Sequence, residues 1–355
     1  MKNILSLFNG ISALHLACDK AGFEINTCYY AEIDKYANKI TEKHYPNDIA
    51  LGDVTKWREW DIDWASIDLV GAGFPCQAWS VAGKQLGDKD ERGMLFWTTL
   101  EIIAHVLKHN PSAKFLMENV KMKKDFEQYI THHTEQALGR VEKTLINSAL
   151  VSAQNRQRYY WTNFEVKQPE DKGILLRDIL EDVVDSKYNL SKEAVSRFKL
   201  YEKPKGNCVG TTKREGTIGQ RDECYGVLGK MGCLTATMYK QPPQYVTGEK
   251  LNSWLENKSA TKNGKADTLT ASQGNCVAWN SIERKQRTMI PVCESTEVNP
   301  NVYEGILYRK LTPIDCERLQ TFPDDWTDCV SNTQRYKALG NAWTVDVIIH
   351  ILGCM

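Results

Sequence analysis

The first 185 residues alternate short apolar runs with amphipathic stretches, a pattern typical of strands joined by helices. The pattern predicts strands over residues 3–8, 24–31, 67–72, 114–117, 143–150 and 159–162. It predicts helices over residues 11–21, 35–44, 94–109 and 125–138. We therefore expect an α/β fold built on a doubly wound, mostly parallel sheet.

The amino-acid composition of the chain changes after residue 185. Residues 186–305 are rich in Gly, Thr, Asn, Lys and Gln, and a nine-residue pattern at 229–237 recurs at 264–272. Two copies are too few for a solenoid, so we expect a smaller, loop-rich domain. Residues 306–355 regain helical patterns over 313–320 and 344–352. We predict a main domain over 1–185, a second domain over 186–305, and a return to the main domain over 306–355.

Composition describes an ordinary globular protein, with 42% hydrophobic and 25% charged residues. No run approaches the roughly 18 apolar residues of a membrane span, and the start of the chain turns polar too early for a signal peptide. We expect a cytoplasmic protein that acts at no membrane. The 11 cysteines include no Cys-x-x-Cys pair, so the sequence suggests neither a disulfide framework nor a metal site.

The net charge is zero, but the charge is unevenly distributed. Residues 187–310 carry 20 Lys+Arg and 12 Asp+Glu, a balance of +8, and the rest of the chain carries −8. A basic segment inserted into an acidic framework is typical of a nucleic-acid-binding module on a catalytic domain. A solvated loop region would give the same balance, and charge alone does not separate the two interpretations.

Three features of the first sheet indicate a nucleoside site. A strand leads through Phe8, Asn9 and Gly10 into a helix, so backbone amides can approach a ligand closely. Glu32 follows the next predicted strand, where an acidic side chain often accepts hydrogen bonds from ribose hydroxyls, and Asp53 follows the third apolar run. Each carboxylate would also be ordinary as a solvated group at a strand end.

The segment 71–80 carries the strongest signal, because an apolar strand runs directly into Pro75-Cys76. The thiol would leave the carboxyl edge of the sheet on a proline-stiffened turn, where sheet ligands bind. A lone cysteine is more often a buried structural thiol. Here the polar, glycine-containing segment 80–93 that follows resembles a lid. Glu118 ends the fifth predicted strand at the same edge, so Cys76 and Glu118 form a candidate pair of nucleophile and proton donor.

Arg156 and Arg158 stand two residues apart, so in an extended segment they point to the same side. Such a pair can clamp a phosphate or a base carbonyl. A surface pair that solvates a sheet edge is the alternative.

Taken together, these residues resemble one family, the DNA (cytosine-5)-methyltransferases. The resemblance covers residues 3–163 and 307–352. The matching blocks follow in order along the chain: Leu7-Phe8-Asn9-Gly10, Glu32, Gly52-Asp53-Val54, Pro75-Cys76-Gln77, 92–96, Glu118-Asn119-Val120, 154–158, 309–323, and Gly340-Asn341-Ala342.

The resemblance implies a Rossmann-like, class I S-adenosylmethionine-dependent fold and transfer of a methyl group from S-adenosyl-L-methionine to C5 of a flipped-out cytosine in double-stranded DNA. Cys76 would attack C6, Glu118 would protonate N3, and Arg156 and Arg158 would hold the base and a phosphate. The implied cofactor contacts are Phe8, Asn9, Gly10, Ile11, Glu32, Ile33, Asp53, Val54, Pro75, Leu95, Asn341 and Ala342.

The resemblance also assigns residues 186–305 to target recognition. Gln77 and Ser80 of the lid would contact DNA, and Thr268-Leu269 is the candidate recognition dipeptide, with Leu234-Thr235 as its competitor. Base-reading donors would include Arg221, Lys230, Gln273 and Asn275.

Two departures stand out. Ser6, Ser12 and Ala13 replace an aspartate and two glycines of the family's first block, and Trp343 replaces a small or aliphatic residue in the last. Both features are closer to animal de novo enzymes and some bacteriophage members. Because the chain lacks the long regulatory regions of animal enzymes, we expect a bacterial or phage source, a monomer, and either a cognate restriction endonuclease or none.

Three alternatives remain. A transfer RNA methyltransferase of the same fold usually carries a Cys-Phe-Thr segment in its recognition region, which this sequence lacks. An inactive DNA-binding regulatory protein would have lost Cys76, Glu118 or the arginines. A dinucleotide oxidoreductase would leave the Pro-Cys and Glu-Asn-Val blocks unexplained.

Overall fold

The computed structural model of the protein describes residues 2–75, 93–189, 199–205, 208–211, 223–226, 230–234, 236, 244–247, 302–303 and 306–355. Cys76, Gln77, Ser80, Thr268 and Leu269 lie outside these residues, as do Arg221, Gln273 and Asn275. No helix among the described residues is long and apolar enough to cross a membrane.

The main domain contains seven strands and seven helices within the described ranges. The strands are β1 (Lys2–Leu7), β2 (Ile25–Ala31), β3 (Ile49–Ala50), β4 (Ile67–Ala72), β5 (Lys114–Val120), β6 (Glu142–Asn147) and β7 (Gln157–Thr162). The helices are α1 (Ala13–Lys20), α2 (Lys35–His44), α3 (Met94–His109), α4 (Lys124–Leu138), α5 (Pro313–Leu319), α6 (Asn332–Asn341) and α7 (Val345–Leu352). The order along the chain confirms the predicted α/β class.

The seven strands form one sheet in the order β3-β2-β1-β4-β5-β7-β6. Strands β1 to β5 pair in parallel, whereas β7 runs antiparallel to both β5 and β6. The chain moves outward from β1 to β2 and β3 and then returns to the other side of β1 at β4. This reversal opens a crevice at the carboxyl edge of β1 and β4, which is where ligands bind in doubly wound sheets.

Alternate residues of the central strands enter two separate hydrophobic clusters, one on each face of the sheet. Ile4 and Leu69 belong to the first cluster, and their neighbours Leu5 and Val70 belong to the second. Helices α1 and α7 pack together on the first face, and α3 and α4 pack together on the second. Burial of both faces explains why these strands read as continuous apolar runs.

A second sheet of six strands has the order β12-β13-β11-β10-β9-β8. Its strands are β8 (Lys199–Lys205), β9 (Cys208–Thr211), β10 (Glu223–Gly226), β11 (Gln244–Thr247), β12 (Val302–Tyr303) and β13 (Ile306–Lys310). Strand β13 pairs with β11 and β12, so this sheet extends beyond the domain boundary predicted at residue 305.

Two segments join the part with the second sheet to the main domain. The amide of Met231 donates to the Ala153 carbonyl at 2.9 Å, and the amide of Asn155 donates to the Met231 carbonyl at 2.8 Å. Arg309 of β13 forms a buried ion pair with Asp315 of α5, with 2.6 Å between Nη1 and Oδ2. The loop before β7 is therefore in direct contact with the predicted recognition domain.

Candidate active site

The loop after β1 has an unusual backbone at the carboxyl edge of the sheet. Phe8, Gly10 and Ser12 all have positive φ angles, at 56°, 59° and 64°. A left-handed conformation costs little at glycine but is uncommon for Phe and Ser, and such residues concentrate at functional sites. Ser12 therefore adopts a conformation that is more common for glycine.

Buried hydroxyls hold this loop against α2. Asn9 Nδ2 donates to Ser12 Oγ and to Thr41 Oγ1, both at 3.1 Å, and the two hydroxyls lie 2.8 Å apart. Asn9 is 8% exposed, and its Oδ1 atom has no hydrogen-bond partner among the described residues. A buried acceptor left without a partner is costly unless a ligand satisfies it.

Glu32 connects the ends of β1 and β2. Its Oε2 accepts from the Gly10 amide at 2.9 Å, and its Oε1 accepts from the Ile33 and Asp34 amides, both at 2.8 Å. A carboxylate offers about four acceptor positions, so Glu32 can also accept from a ligand hydroxyl. Ile33 beside it is 78% exposed, which leaves a large apolar side chain available at the crevice.

The other predicted cofactor residues have varied surroundings. Asp53 Oδ1 accepts from the Thr55 amide at 2.9 Å and caps a 3₁₀ turn whose first residue, Val54, is buried. Pro75 and Leu95 are partly buried. Asn341 is exposed at the end of α6, whereas Ile11 and Ala342 are buried.

Glu118 lies near the carboxyl end of β5 and is 8% exposed. Arg158 Nε lies 2.9 Å from Glu118 Oε1, and Trp343 Nε1 donates to Glu118 Oε2 at 3.0 Å. The neighbouring Asn119 donates from Nδ2 to the Phe74 carbonyl at 3.2 Å. This bond ties the end of β5 to the loop that leads through Pro75 to Cys76.

The two arginines point to the same side, as their spacing predicts, because both guanidinium groups approach Cys233. The distances to its Sγ are 3.2 Å from Arg156 Nη1 and 3.6 Å from Arg158 Nη2. Burial alone would raise the pKa of the Cys233 thiol, but the two positive charges outweigh it and lower the pKa. Burial would lower the pKa of Arg158, whereas Cys233 and Glu118 raise it, so the guanidinium stays charged.

Arg156 has different surroundings from Arg158. It is 3% exposed, and its guanidinium donates to the carbonyls of Leu234 at 2.9 Å, Ala342 at 2.8 Å and Gly340 at 3.4 Å. These bonds join the loop before β7 to the segment 230–234 and to the end of α6. Through these bonds to backbone carbonyls, Arg156 holds the neighbouring segments in position.

The prediction that Lys230 reads bases is wrong. Its ammonium group donates to the carbonyls of Ala149, Ser152 at 3.1 Å and Ile174 at 3.0 Å. An ammonium group has three donors, and three backbone carbonyls account for all of them.

A possible metal-ligand group is also present in the described part of the chain. His15, Cys28 and Asp48 bring ligand atoms within 4.8 Å of one another. His15 Nδ1 and Asp48 Oδ2 are 2.9 Å apart and satisfy each other as a hydrogen-bonded pair. Burial raises the pKa of the Cys28 thiol well above its ordinary value, which disfavours the thiolate that metals bind.

Sequence reasoning missed two site residues. Trp343 stood out only as a departure from the family's last block, and Cys233 was noted only within the repeat. Neither contact is local in sequence, since Trp343 reaches Glu118 across 225 residues and Cys233 reaches Arg156 across 77. The hydrogen-bonding indole N–H was the one signal that could have indicated a polar partner for Trp343.

The chain is similar to known proteins over nearly its whole length. The chain matches the family described as C-5 cytosine-specific DNA methylase over residues 2–355. It is 28% identical to the type II methyltransferase M1.ScrFI of Lactococcus lactis subsp. cremoris, covering 97% of this chain and 75% of the relative. It is 26% identical to the orphan methyltransferase M.SPRI of Bacillus phage SPR, covering 97% and 95%.

Among solved structures, the chain is similar to the Entamoeba histolytica methyltransferase EhMeth. The TM-score is 0.63 at 15% sequence identity, and the match covers 99% of this chain and 97% of that one. At this identity the likeness concerns the fold.

Proposed function

The chain belongs to the family of C-5 cytosine-specific DNA methylases, and we propose that it methylates a flipped-out cytosine in double-stranded DNA through a covalent bond to Cys76. S-adenosylmethionine is the methyl donor of this family. The observation that carries the proposal is the position of Glu118. Each of its two carboxylate oxygens has its own donor, and the neighbouring Asn119 is bonded to the loop that leads into Pro75-Cys76.

The proposed chemistry follows from the low nucleophilicity of cytosine C5. The Cys76 thiolate adds to C6 while Glu118 delivers a proton to N3, so the ring loses its aromaticity and C5 becomes an enamine carbon. When bound, S-adenosylmethionine would supply an electrophilic methyl group that C5 can take, and neutral S-adenosylhomocysteine would be the leaving group. A base, for which water is our candidate, then removes the C5 proton, the electron pair of that C–H bond re-forms the C5–C6 double bond as the Cys76 thiolate leaves, and N3 returns its proton to Glu118.

Base flipping is part of the proposal because a stacked base hides both C5 and C6. We assign Arg158 to the flipped base, since it lies against Glu118 on one side and Cys233 on the other. Arg156 is given a positioning role, because backbone carbonyls occupy its guanidinium. Direct contact of Arg156 with the base or a phosphate stays a prediction.

The residues after β1 and β2 fit the cofactor. The unsatisfied, buried Asn9 Oδ1 is suited to a ligand amino group, and Glu32 Oε2 to a ribose hydroxyl. The exposed Ile33 side chain can cover a purine face, with Asp53 and Val54 beyond it. Contacts from Phe8, Gly10, Ile11, Pro75, Leu95, Asn341 and Ala342 remain part of the proposal.

We assign target recognition to residues 186–305, which overlap the basic segment 187–310 with its excess of eight positive charges. Thr268-Leu269 and the DNA contacts of Gln77 and Ser80 stay predictions. Support for the competing dipeptide comes from Leu234, because its carbonyl accepts from Arg156 and its amide donates to Gln154 Oε1 at 3.3 Å. A recognition loop attached there would be coupled directly to the catalytic arginines.

The proposed setting is the cytoplasm of a bacterium or of a phage-infected cell, with one copy of the chain acting on a short DNA sequence. The bacterial and phage sources of the relatives support this setting. One relative is named a type II methyltransferase and the other an orphan methyltransferase. We therefore keep two alternatives, a chain that acts with a cognate endonuclease and a chain that acts without one.

Methyl transfer from labelled S-adenosylmethionine tests the proposal. The purified chain is incubated with unmethylated genomic DNA and, separately, with unmodified transfer RNA, and 5-methylcytosine is mapped at base resolution. The proposal predicts label in DNA at one short motif. Label only in RNA would overturn the DNA substrate, and label in neither would overturn the activity.

A further inference from the structure

Trp343 and Glu118 form a contact that the proposed mechanism does not yet use. Trp343 Nε1 donates to Glu118 Oε2 at 3.0 Å while Arg158 holds Oε1, so each carboxylate oxygen has its own donor. We infer that Trp343 is a positioning residue that fixes the orientation of Glu118 for proton delivery to cytosine N3. The inference rests on the proposed function.

The backbone around Trp343 is anchored on both sides by buried polar groups. The carbonyl of Ala342 accepts from Arg156 Nη2 at 2.8 Å and from Gln320 Nε2 at 3.2 Å. On the other side, the Thr344 hydroxyl donates to Gln320 Oε1 at 2.8 Å and lies 2.9 Å from Ser148 Oγ. Because these partners are buried, the base of the indole side chain has little freedom to move.

Gly73 gives the indole the room that it needs. A Cβ atom at this position would lie 2.8 Å from Trp343 Nε1, 3.2 Å from Cε2 and 3.3 Å from Cζ2. The crowded atom is the nitrogen that donates to Glu118. The same glycine stands two residues before Pro75, so the indole packs directly on the loop that carries the proposed nucleophile.

The two hydrogen-bond donors constrain the orientation of the Glu118 carboxyl group. A carboxyl group that protonates cytosine N3 must direct its proton at that nitrogen, and rotation about its terminal torsion is otherwise broad. Two donors, one on each oxygen, restrict that rotation before the base arrives, which is the kind of preorganisation that accelerates a positioned acid. Loss of one donor should slow the chemical step and leave binding of DNA and cofactor intact.

The test is the single-turnover rate of methyl transfer by Trp343→Phe, which keeps an aromatic ring and removes the N–H donor. Loss of a hydrogen bond to a charged group predicts a decrease of roughly tenfold to a hundredfold. Dissociation constants for S-adenosylmethionine and for DNA should stay close to the wild-type values. Trp64→Phe is the matched control, because that indole packs against Trp57 and Trp60 before β4 and should leave the rate unchanged.

A double-mutant cycle separates positioning from a general structural role. If Trp343 acts through Glu118, the double variant Trp343→Phe, Glu118→Gln is no slower than Glu118→Gln alone. Additive losses, or a Trp343→Phe variant as fast as wild type, would overturn the inference. A loss explained by weaker cofactor binding would also overturn it.

Gly73→Ala supplies a second variant that leaves Trp343 in place. The added Cβ should displace the indole nitrogen from Glu118 and lower the single-turnover rate to a similar extent. A Gly73→Ala variant with the wild-type rate contradicts the inference even if Trp343→Phe does not fold. A wild-type chain that transfers no methyl group removes the proposed function, and the inference falls with it, whereas an active wild type with unaffected variants removes only the inference.

Discussion

Arg158 and Glu118 form a partly buried ion pair at the carboxyl edge of the sheet, with 2.9 Å between Nε and Oε1. The pair follows from the reversal of strand direction at β7. Antiparallel pairing sets Arg158 opposite Val120, two residues from Glu118 on β5. A parallel strand in this position would have presented its carboxyl end at the same edge, so the antiparallel strand is what delivers the first residues of β7 to the site.

The two arginines should respond differently to substitution by alanine. Arg158→Ala should slow methyl transfer by roughly tenfold or more, because it removes a charged donor from Glu118. Arg156→Ala should lower the free energy of unfolding by about 3 kcal/mol, because it leaves the buried carbonyls of Leu234 and Ala342 without their donor. Single-turnover kinetics and urea denaturation of both variants check this contrast. Equal effects of the two variants on both measurements would contradict the different roles.

Cys233 should react with iodoacetamide at a lower pH than an ordinary thiol. Burial opposes ionisation, but Arg156 and Arg158 lower the pKa of Cys233 below its ordinary value of 9.0, so the thiolate forms as pH rises through that lowered value. Burial, with a smaller contribution from Asp19, raises the pKa of Cys18 to about 12, which makes Cys18 the internal control. Peptide mass mapping across a pH series gives both profiles.

Removal of one arginine should move the pH dependence of the reaction of Cys233 with iodoacetamide toward higher pH. Arg158→Ala is the suitable background, because Arg158 contributes one of the two positive charges near the sulfur. A wild-type profile with its midpoint at or above 9.0 would refute the assigned influence of the arginines.

The ion pair between Arg309 and Asp315 should matter strongly for stability. Their side chains are 3% and 0% exposed, and Asp315 also accepts from the Thr312 amide at 2.7 Å. Arg309→Met leaves a buried carboxylate without its charged partner, and such losses cost about 3–5 kcal/mol. Denaturant midpoints of Arg309→Met and of the control Lys310→Met check the effect. A loss no larger than that of the control would show that Asp315 tolerates the missing partner.

The sequence predicted regular elements best where apolar periodicity and end signals agree. The predicted bounds of α2 and α3 coincide with those in the structure, and α2 has Asp34 at its N-cap and basic residues in its last turn. Helix α6 was missed, because Asn332–Asn341 is polar and buries only Tyr336, Leu339 and Gly340. Strand direction at β7 was also beyond the pattern, since alternation is the same in either direction.

In the site as well, the sequence predicted what the local pattern determines and missed what contacts between distant residues determine. The position of Glu32 and Glu118 at the carboxyl edge of the sheet could be predicted, because parallel strands bring their carboxyl ends to one edge. The Lys230 prediction failed because a positive charge in a basic segment does not reveal whether nearby backbone carbonyls will accept its hydrogen bonds. Trp343 escaped because its partner comes from a distant strand.

Trapping of a covalent adduct tests whether Cys76 is the nucleophile. A plasmid-length duplex made with 5-fluorocytosine presents many sequences, and fluorine at C5 cannot leave as the proton does, so the bond to the cysteine should persist. With S-adenosylmethionine present, we expect a protein–DNA adduct that survives denaturation and maps to the peptide containing Cys76. Cys76→Ala should give none while still binding DNA. An equal yield of adduct from Cys76→Ala, or an adduct at another residue, would contradict the account.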